Sequence, residues 1–352
     1  MSNWTEYLAS HGARFHVDEA SQVEDFGKAL STSELAAGFV ATVTDLGLIA
    51  VTGDDAASFL HSQLTNDVEH LGTGEARLAG YCTPKGRLLA TFLMWRDAQS
   101  VYLQLPRELQ AQLQKRLSMY VLRAKVKLKD ATDAPASDAL IGIGGAKGEA
   151  ALRQHVTELP AAPYQVSRSD AGTVIRLADA FGAPRYLWVT SGATASGALP
   201  ALRESLALGG NQAWRLASVH AGVPQVTAKT LEQFVPQMVN LELLGGVNFK
   251  KGCYPGQEIV ARSQYLGKLK RRTALATVDN AAALAGQEVF SAADPEQPCG
   301  MIVNVAANGN GGADALVEMK LALLDDAVHL GSATGARLQF LPMPYALDAL
   351  DV

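Results

Sequence analysis

Lys251-Gly252-Cys253-Tyr254-Pro255-Gly256-Gln257-Glu258 places a thiol, an amide, a carboxylate and two turn-forming glycines within eight residues. Cys253 lies between Gly252 and Pro255-Gly256, a setting that makes a tight turn rather than a helix or strand interior, and turns put side chains on rims. Lys250 and Lys251 precede it and Arg262 follows, and nearby cations favour the thiolate, so the pattern predicts a nucleophilic Cys253. The competing reading is an inert buried cysteine, because a free thiol packs as a small hydrophobe. Gln257 and Glu258 offer donors and acceptors to the edge of a heterocycle, or else serve as entry residues of the next element.

Around this octapeptide, residues 249–272 hold seven basic residues (Lys250, Lys251, Arg262, Lys268, Lys270, Arg271, Arg272) against one acid, Glu258, in a chain of formal net charge −5. A cationic segment on an acidic protein focuses an anionic ligand such as a phosphate, a polycarboxylate tail or RNA. The distal run 268–272 reads equally well as a solvated basic face. The pI of 5.8 argues against direct nucleic-acid binding. Upstream, Pro84-Lys85-Gly86-Arg87 makes a cationic turn between two strands, and Pro236-Gln237-Met238-Val239-Asn240 supplies amides shortly before Cys253. Either patch taken singly is ordinary surface or backbone-satisfying chemistry.

The chain has 352 residues, 48% hydrophobic and 18% charged, which suits two or three globular domains and excludes disordered, collagen-like and coiled-coil classes. Its longest apolar run, 88–95, is far shorter than the roughly 18 residues a membrane helix needs. Residues 1–10 carry Glu6 and no signal-like succession, so the cytoplasm is the expected compartment. Cys82, Cys253 and Cys299 are too far apart for a CxxC motif, the seven histidines show no HExxH spacing, and no metal site is expected.

Residues 39–51 read as a strand pair turning at Asp45-Leu46-Gly47, followed by a helix from Asp54 or Asp55 that runs out near Thr65-Asn66-Asp67. Strands at 76–81, 88–95 and 101–105 lead to a helix carrying Leu109, Leu113 and Leu117, and 125–129 alternates as a strand. After a linker-like 130–138 a second round follows: strand 139–143, helix 147–156, strands 173–177 and 186–190, and a helix over 199–208. The run Ile141-Gly142-Ile143-Gly144-Gly145-Ala146-Lys147-Gly148 resembles a dinucleotide fingerprint with its third glycine one residue late, and a turn with a helix cap is the better reading. From 273 onward, short strands at 273–278, 288–291, 301–305, 316–323 and 337–341 predict a small β-barrel. The expected fold class is α+β, with units at 1–132, 133–265 and 266–352.

The octapeptide resembles the signature of the YgfZ family, folate-binding proteins linked to iron-sulfur cluster assembly and tRNA modification. The match extends through Val51-Thr52-Gly53-Asp54-Asp55-Ala56, Leu64-Thr65-Asn66-Asp67-Val68, Pro84-Lys85-Gly86-Arg87, Phe234-Val235-Pro236-Gln237-Met238 and residues 341–345. Kinship in fold with the glycine-cleavage aminomethyltransferase (T-protein) implies two intertwined, ferredoxin-like α+β units, a C-terminal β-barrel and tetrahydrofolate in a central channel. The resemblance further implies Cys253 as functional thiol, biased by Lys251, and a folate site drawing on Tyr254, Gln257, Glu258, Arg262, Lys85, Arg87, Asn66, Gln237 and Asn240. The basic patch would attract a polyglutamate tail. Partners would be folate and iron-sulfur client or assembly proteins, with no membrane.

Departures from the T-protein argue against classical turnover. Alanine, Ala90, stands at the place of its catalytic aspartate after the Lys85-Gly86 turn. Leu105 stands for its folate-contacting asparagine, and in Ser218-Val219-His220-Ala221-Gly222 a histidine replaces its pterin-binding glutamate. The expected function is therefore a tetrahydrofolate-binding accessory factor. Alternatives are a folate-dependent aminomethyl transferase with an unidentified base, or a tRNA-binding module using 268–272.

Overall fold

The computed structural model describes residues 3–17, 19, 21–265 and 269–347, so Lys268 of the basic run lies outside the described residues. Three larger sheets carry the architecture, a mixed α+β one. In the first, five antiparallel strands run in the order Ala76–Cys82, Leu88–Arg96, Ser100–Pro106, Leu46–Thr52 and Lys127–Asp130. Eight of the nine residues of Leu88–Arg96 are buried, which explains its near-continuous apolar sequence. The amphipathic helix Arg107–Ser118 packs Leu109, Leu113 and Leu117 onto this sheet.

The second sheet orders Val166–Ser169, Gly172–Ala180, Ala183–Thr190, Ala139–Gly144, Phe39–Thr42 and Ala207–Gly209, with only the last pair parallel. This corrects the strand pair expected over 39–51. Phe39–Thr42 pairs with Ala139–Gly144, whereas Leu46–Thr52 pairs with Ser100–Pro106 in the other sheet. The intervening residues cross between sheets because the Asn211 side-chain oxygen accepts from Thr44 N (2.8 Å) and Asp45 N (3.3 Å), so the backbone donors are satisfied away from a hairpin. The glycine-rich 141–148 segment is no nucleotide fold, since Ala139–Gly144 has antiparallel neighbours on both sides. Gly145 is needed for close approach: φ is +79° and a Cβ would fall 2.2 Å from Leu35 O.

The helix expected at 199–208 starts earlier, as Gly192–Ser205, because Ser191 caps it by accepting from Thr194 N (3.1 Å), and it stops where Ala207–Gly209 joins the sheet. The helix expected at 147–156 is shorter, Gly148–Leu152. The third sheet orders Val328–Leu330, Glu288–Ser291, Asp294–Ala307, Ala313–Lys320, Arg271–Val278 and Leu338–Leu341. It curls until a bridge between His329 and Arg337 joins its two edges, which removes most exposed strand edge. No described helix is long and apolar enough to cross a membrane.

Candidate functional site

The octapeptide folds as the turn its sequence predicts, and Gln257 opens the helix Gln257–Tyr265. Cys253 is exposed, whereas Cys82 and Cys299 are buried. Burial pushes the Cys82 thiol up to about 12 and raises Cys299, so neither competes as a nucleophile at neutral pH. Lys251 points inward from the same loop. Its ammonium donates to the carbonyls of His61 and of Leu64 (2.8 Å), at the C-terminal end of the short helix Ala56–His61, and lies 4.8 Å from the Tyr254 ring centre. Burial lowers this ammonium to about 8, against the pull of Asp67, Cys253 and Glu69. Lys251 therefore acts first as a staple that holds the Cys253 loop on that helix end. Tyr254 is buried beneath it, with an enclosed hydroxyl that meets no partner.

The loop is fixed from the other side by the turn at Thr83–Gly86. At Gly256, with φ of +82°, an added Cβ would sit 2.4 Å from Thr83 O and 2.8 Å from Gly86 Cα. Gly256→Ala is accordingly expected to cost roughly 1–3 kcal/mol through left-handed strain and backbone collision. A denaturant midpoint equal to wild type would show that this packing is not rigid.

The remaining expected site residues separate into surface and scaffold. Glu258 and Arg262 pair with each other across one exposed helical turn (3.0 Å). Lys85 and Arg87 are exposed on the neighbouring turn, where Arg87 donates to Gln233 O (2.5 Å). Asn66 is buried and donates to Leu78 O and Gly245 O, both at 2.7 Å. Gln237 donates to Val260 O (2.7 Å) while its Oε1 is enclosed without a partner, and Asn240 donates to Thr273 O (2.9 Å). Within the distal basic run Lys270 is exposed, whereas the two arginines are engaged by carboxylates. Arg271 forms a two-pronged pair with Glu318 (2.5 and 2.8 Å), and Arg272 is buried against Glu242. His220 is held by Asp314 through Nε2 (2.6 Å) and lies against the Phe181 ring.

A narrow central cavity of about 50 Å³ opens between the first two sheets. Among the described residues, none of the side chains singled out from the sequence lines it. Its polar lining is Thr91, Gln104, Tyr164, Arg185, Ser218 and Gln225, with Phe92 and Trp214 as its aromatic faces. Arg185 is 2% exposed, yet no carboxylate forms an ion pair with it among the described residues. It donates to Ser218 Oγ (2.7 Å) and Ala178 O (3.3 Å) and lies 4.8 Å from the Trp214 ring centre. Burial lowers this guanidinium to about 10. Two further enclosed polar atoms have no partner, Gln104 Nε2 and the Tyr164 hydroxyl, the latter pushed up to about 12 by burial.

Gln104 and Arg185 were missed in the sequence because each is a single polar residue within an apolar run, for which core satisfaction is the ordinary explanation. Successive strand side chains face opposite ways, so Gln104 lines the cavity while Leu105 is buried elsewhere. No carboxylate or imidazole lines the cavity among the described residues, and so its chemistry is that of a donor-rich, partly aromatic receptor.

No family model matches the chain. The tRNA-modifying protein YgfZ of Escherichia fergusonii is 35% identical over 231 residues, covering 65% of this chain and 69% of that protein. Its namesake in Escherichia coli strain SMS-3-5 is 30% identical over 311 residues, covering 87% of this chain and 93% of that protein. In three dimensions the chain matches the crystal structure of glycine cleavage system aminomethyltransferase T from Bartonella henselae, with a TM-score of 0.76 at 15% identity over 96% of this chain and 95% of that one. That likeness establishes a T-protein-like fold. With the exposed thiol of the octapeptide beside the Lys85 turn and two relatives matched over most of their length, the chain belongs to the YgfZ family.

Proposed function

We propose that the chain binds tetrahydrofolate in the central cavity and serves as an accessory factor for maturing or repairing iron-sulfur enzymes that modify tRNA, with Cys253 as its functional thiol. The observation that carries the folate reading is Arg185, a buried guanidinium without a carboxylate partner, facing a cavity beside unpaired Gln104 Nε2 and Tyr164 hydroxyl. Leaving such donors unmet costs free energy that a ligand rich in acceptors recovers. A pterin supplies ring acceptors and a flat face for Trp214 and Phe92. Arg185, Gln104, Tyr164 and Ser218 would hold it. Tetrahydrofolate, when bound, carries one-carbon units. The lining offers no group fit to take a proton near neutral pH, which favours binding over aminomethyl transfer.

The proposed units 1–132, 133–265 and 266–352 are supported by the origin of the strands. The first sheet draws on 46–130, the second on 139–209 with Phe39–Thr42 as the intertwining strand, and the third on 271–341. The two α+β units are proposed as ferredoxin-like, and the curled third sheet as a small barrel.

Titration with tetrahydrofolate, followed by tryptophan fluorescence and calorimetry, tests the binding step directly because Trp214 lines the cavity. A saturable micromolar signal is expected, and its absence counts against folate. Cys253→Ala is expected to keep the fold and the folate signal but to lose restoration of cluster-dependent tRNA methylthiolation in a deficient cell. Full rescue by this variant removes the thiol from the mechanism.

A further inference from the structure

Residues 115–129 read Lys-Arg-Leu-Ser-Met-Tyr-Val-Leu-Arg-Ala-Lys-Val-Lys-Leu-Lys, six cations without an acid. They form the end of the helix Arg107–Ser118, a turn, and the start of the edge strand Lys127–Asp130. Lys115, Arg123, Lys127 and Lys129 are exposed and have no ion-pair partner among the described residues. Between them the turn presents Met119 (61% exposed), Tyr120 (48%) and Leu122 (89%). Leu122 has φ of +47°, a left-handed conformation that a bulky residue rarely adopts, so the turn holds an apolar side chain outward at a cost in strain.

The turn is anchored rather than loose. Arg116 lies over the Tyr81 ring (5.9 Å), and the Asp55 carboxylate accepts from Lys125 N (2.7 Å). Asp55 precedes the six-residue helix Ala56–His61, whose opposite end holds Lys251 and hence the Cys253 loop. That helix is only about 9 Å long. The cationic turn and the exposed thiol thus flank one short element.

We infer that this turn is a docking surface for structured RNA, an inference that rests on the proposed role in tRNA modification and names the partner of that role. Lysines on an edge strand commonly serve to block sheet-to-sheet pairing, but that task does not explain the cations of the helix end or the three exposed apolar residues. Four of the six cations are lysines, which protein interfaces disfavour, whereas cations interleaved with an exposed aromatic ring suit phosphates and unstacked bases. The low pI pointed away from nucleic acid because it averages over the chain, while binding responds to the local field.

The experiment measures fluorescence anisotropy of a labelled tRNA transcript with the full chain across a salt series, with phosphatidylserine vesicles as a parallel probe. Wild type is expected to bind tRNA with a steep negative salt slope. The triple variant Arg123→Glu, Lys127→Glu, Lys129→Glu is expected to lose at least tenfold in affinity and to flatten the log–log slope by about two to three, since each lost phosphate contact removes roughly 0.7–0.9. Tyr120→Ala is expected to weaken binding several-fold without changing the slope. A control triple, Lys147→Glu, Arg203→Glu, Lys229→Glu, changes net charge equally at exposed positions elsewhere and is expected to retain most of the affinity. A flat salt response, equal losses in the two triples, or capture by vesicles in preference to tRNA overturns the inference. Circular dichroism checks the fold. Folate titration of the same variants keeps the two readings apart, because the RNA surface can fail while the folate signal stands, and the reverse.

Discussion

Arg185→Met is expected to lower tetrahydrofolate affinity by at least a hundredfold, about 2.8 kcal/mol at 1.4 kcal/mol per decade, while leaving the thermal midpoint of the free protein near or above wild type. The two signs follow from one fact. A guanidinium that is 2% exposed and lacks a carboxylate partner is held against its desolvation cost, so an apolar side chain of similar volume relieves the free protein and deprives the ligand. Lost hydrogen bonds to Ser218 and Ala178 O offset part of that relief. Arg185→Lys keeps the charge but not the planar fork, and it is expected to recover little affinity. Calorimetry and thermal unfolding on the same samples provide the check. Undiminished affinity in Arg185→Met, with the fold intact, removes the guanidinium from the site. A large drop in melting temperature would assign it to the scaffold instead.

Glu242→Ala should behave in the opposite way, with a loss of stability of about 3–5 kcal/mol and no direct effect on the cavity. Glu242 and Arg272 are 4% and 3% exposed, and removing the acid strands a buried cation. The Arg272 guanidinium also donates to Gln237 O (3.2 Å) and Asn240 Oδ1 (3.5 Å), while Asn240 reaches Thr273 O, so the segment before the octapeptide is tied to the first strand of the third sheet. The double change Glu242→Leu with Arg272→Met removes both charges and is expected to regain much of the loss. Urea unfolding of the two variants distinguishes the cases: if the single change costs less than 1 kcal/mol, the pair is solvated and not the pin described here.

The outcome at individual residues shows what kind of information the chain carries locally. The turn around Cys253, its exposure and the start of the next helix at Gln257 follow from Gly252, Pro255 and Gly256, whose backbone preferences act within two or three residues. The strands at Ala76–Cys82 and Leu88–Arg96 were readable for a similar reason, because β-rich apolar runs bounded by turns need no distant partner to be recognised. The environment of Arg271 and Arg272 was not readable, since an arginine looks identical in sequence whether it faces water or the carboxylates of Glu318 and Glu242. The amides of Gln237 and Asn240 read in the sequence either as ligand groups or as backbone-satisfying ones, and the backbone partners they meet lie far away in the linear pattern.

Family membership, the turn that carries the thiol and the mixed α+β character were therefore legible in the order of residues, because each depends on contiguous motifs or short-range periodicity. The partition of Phe39–Thr42 and Leu46–Thr52 into different sheets, the burial of Arg185 opposite Gln104 and Tyr164, and the removal of Arg272 from the surface became visible once the chain was folded. Those features arise from side chains brought together across long stretches of sequence, and burial, charge pairing and an unmet donor are properties of such neighbourhoods rather than of any residue type.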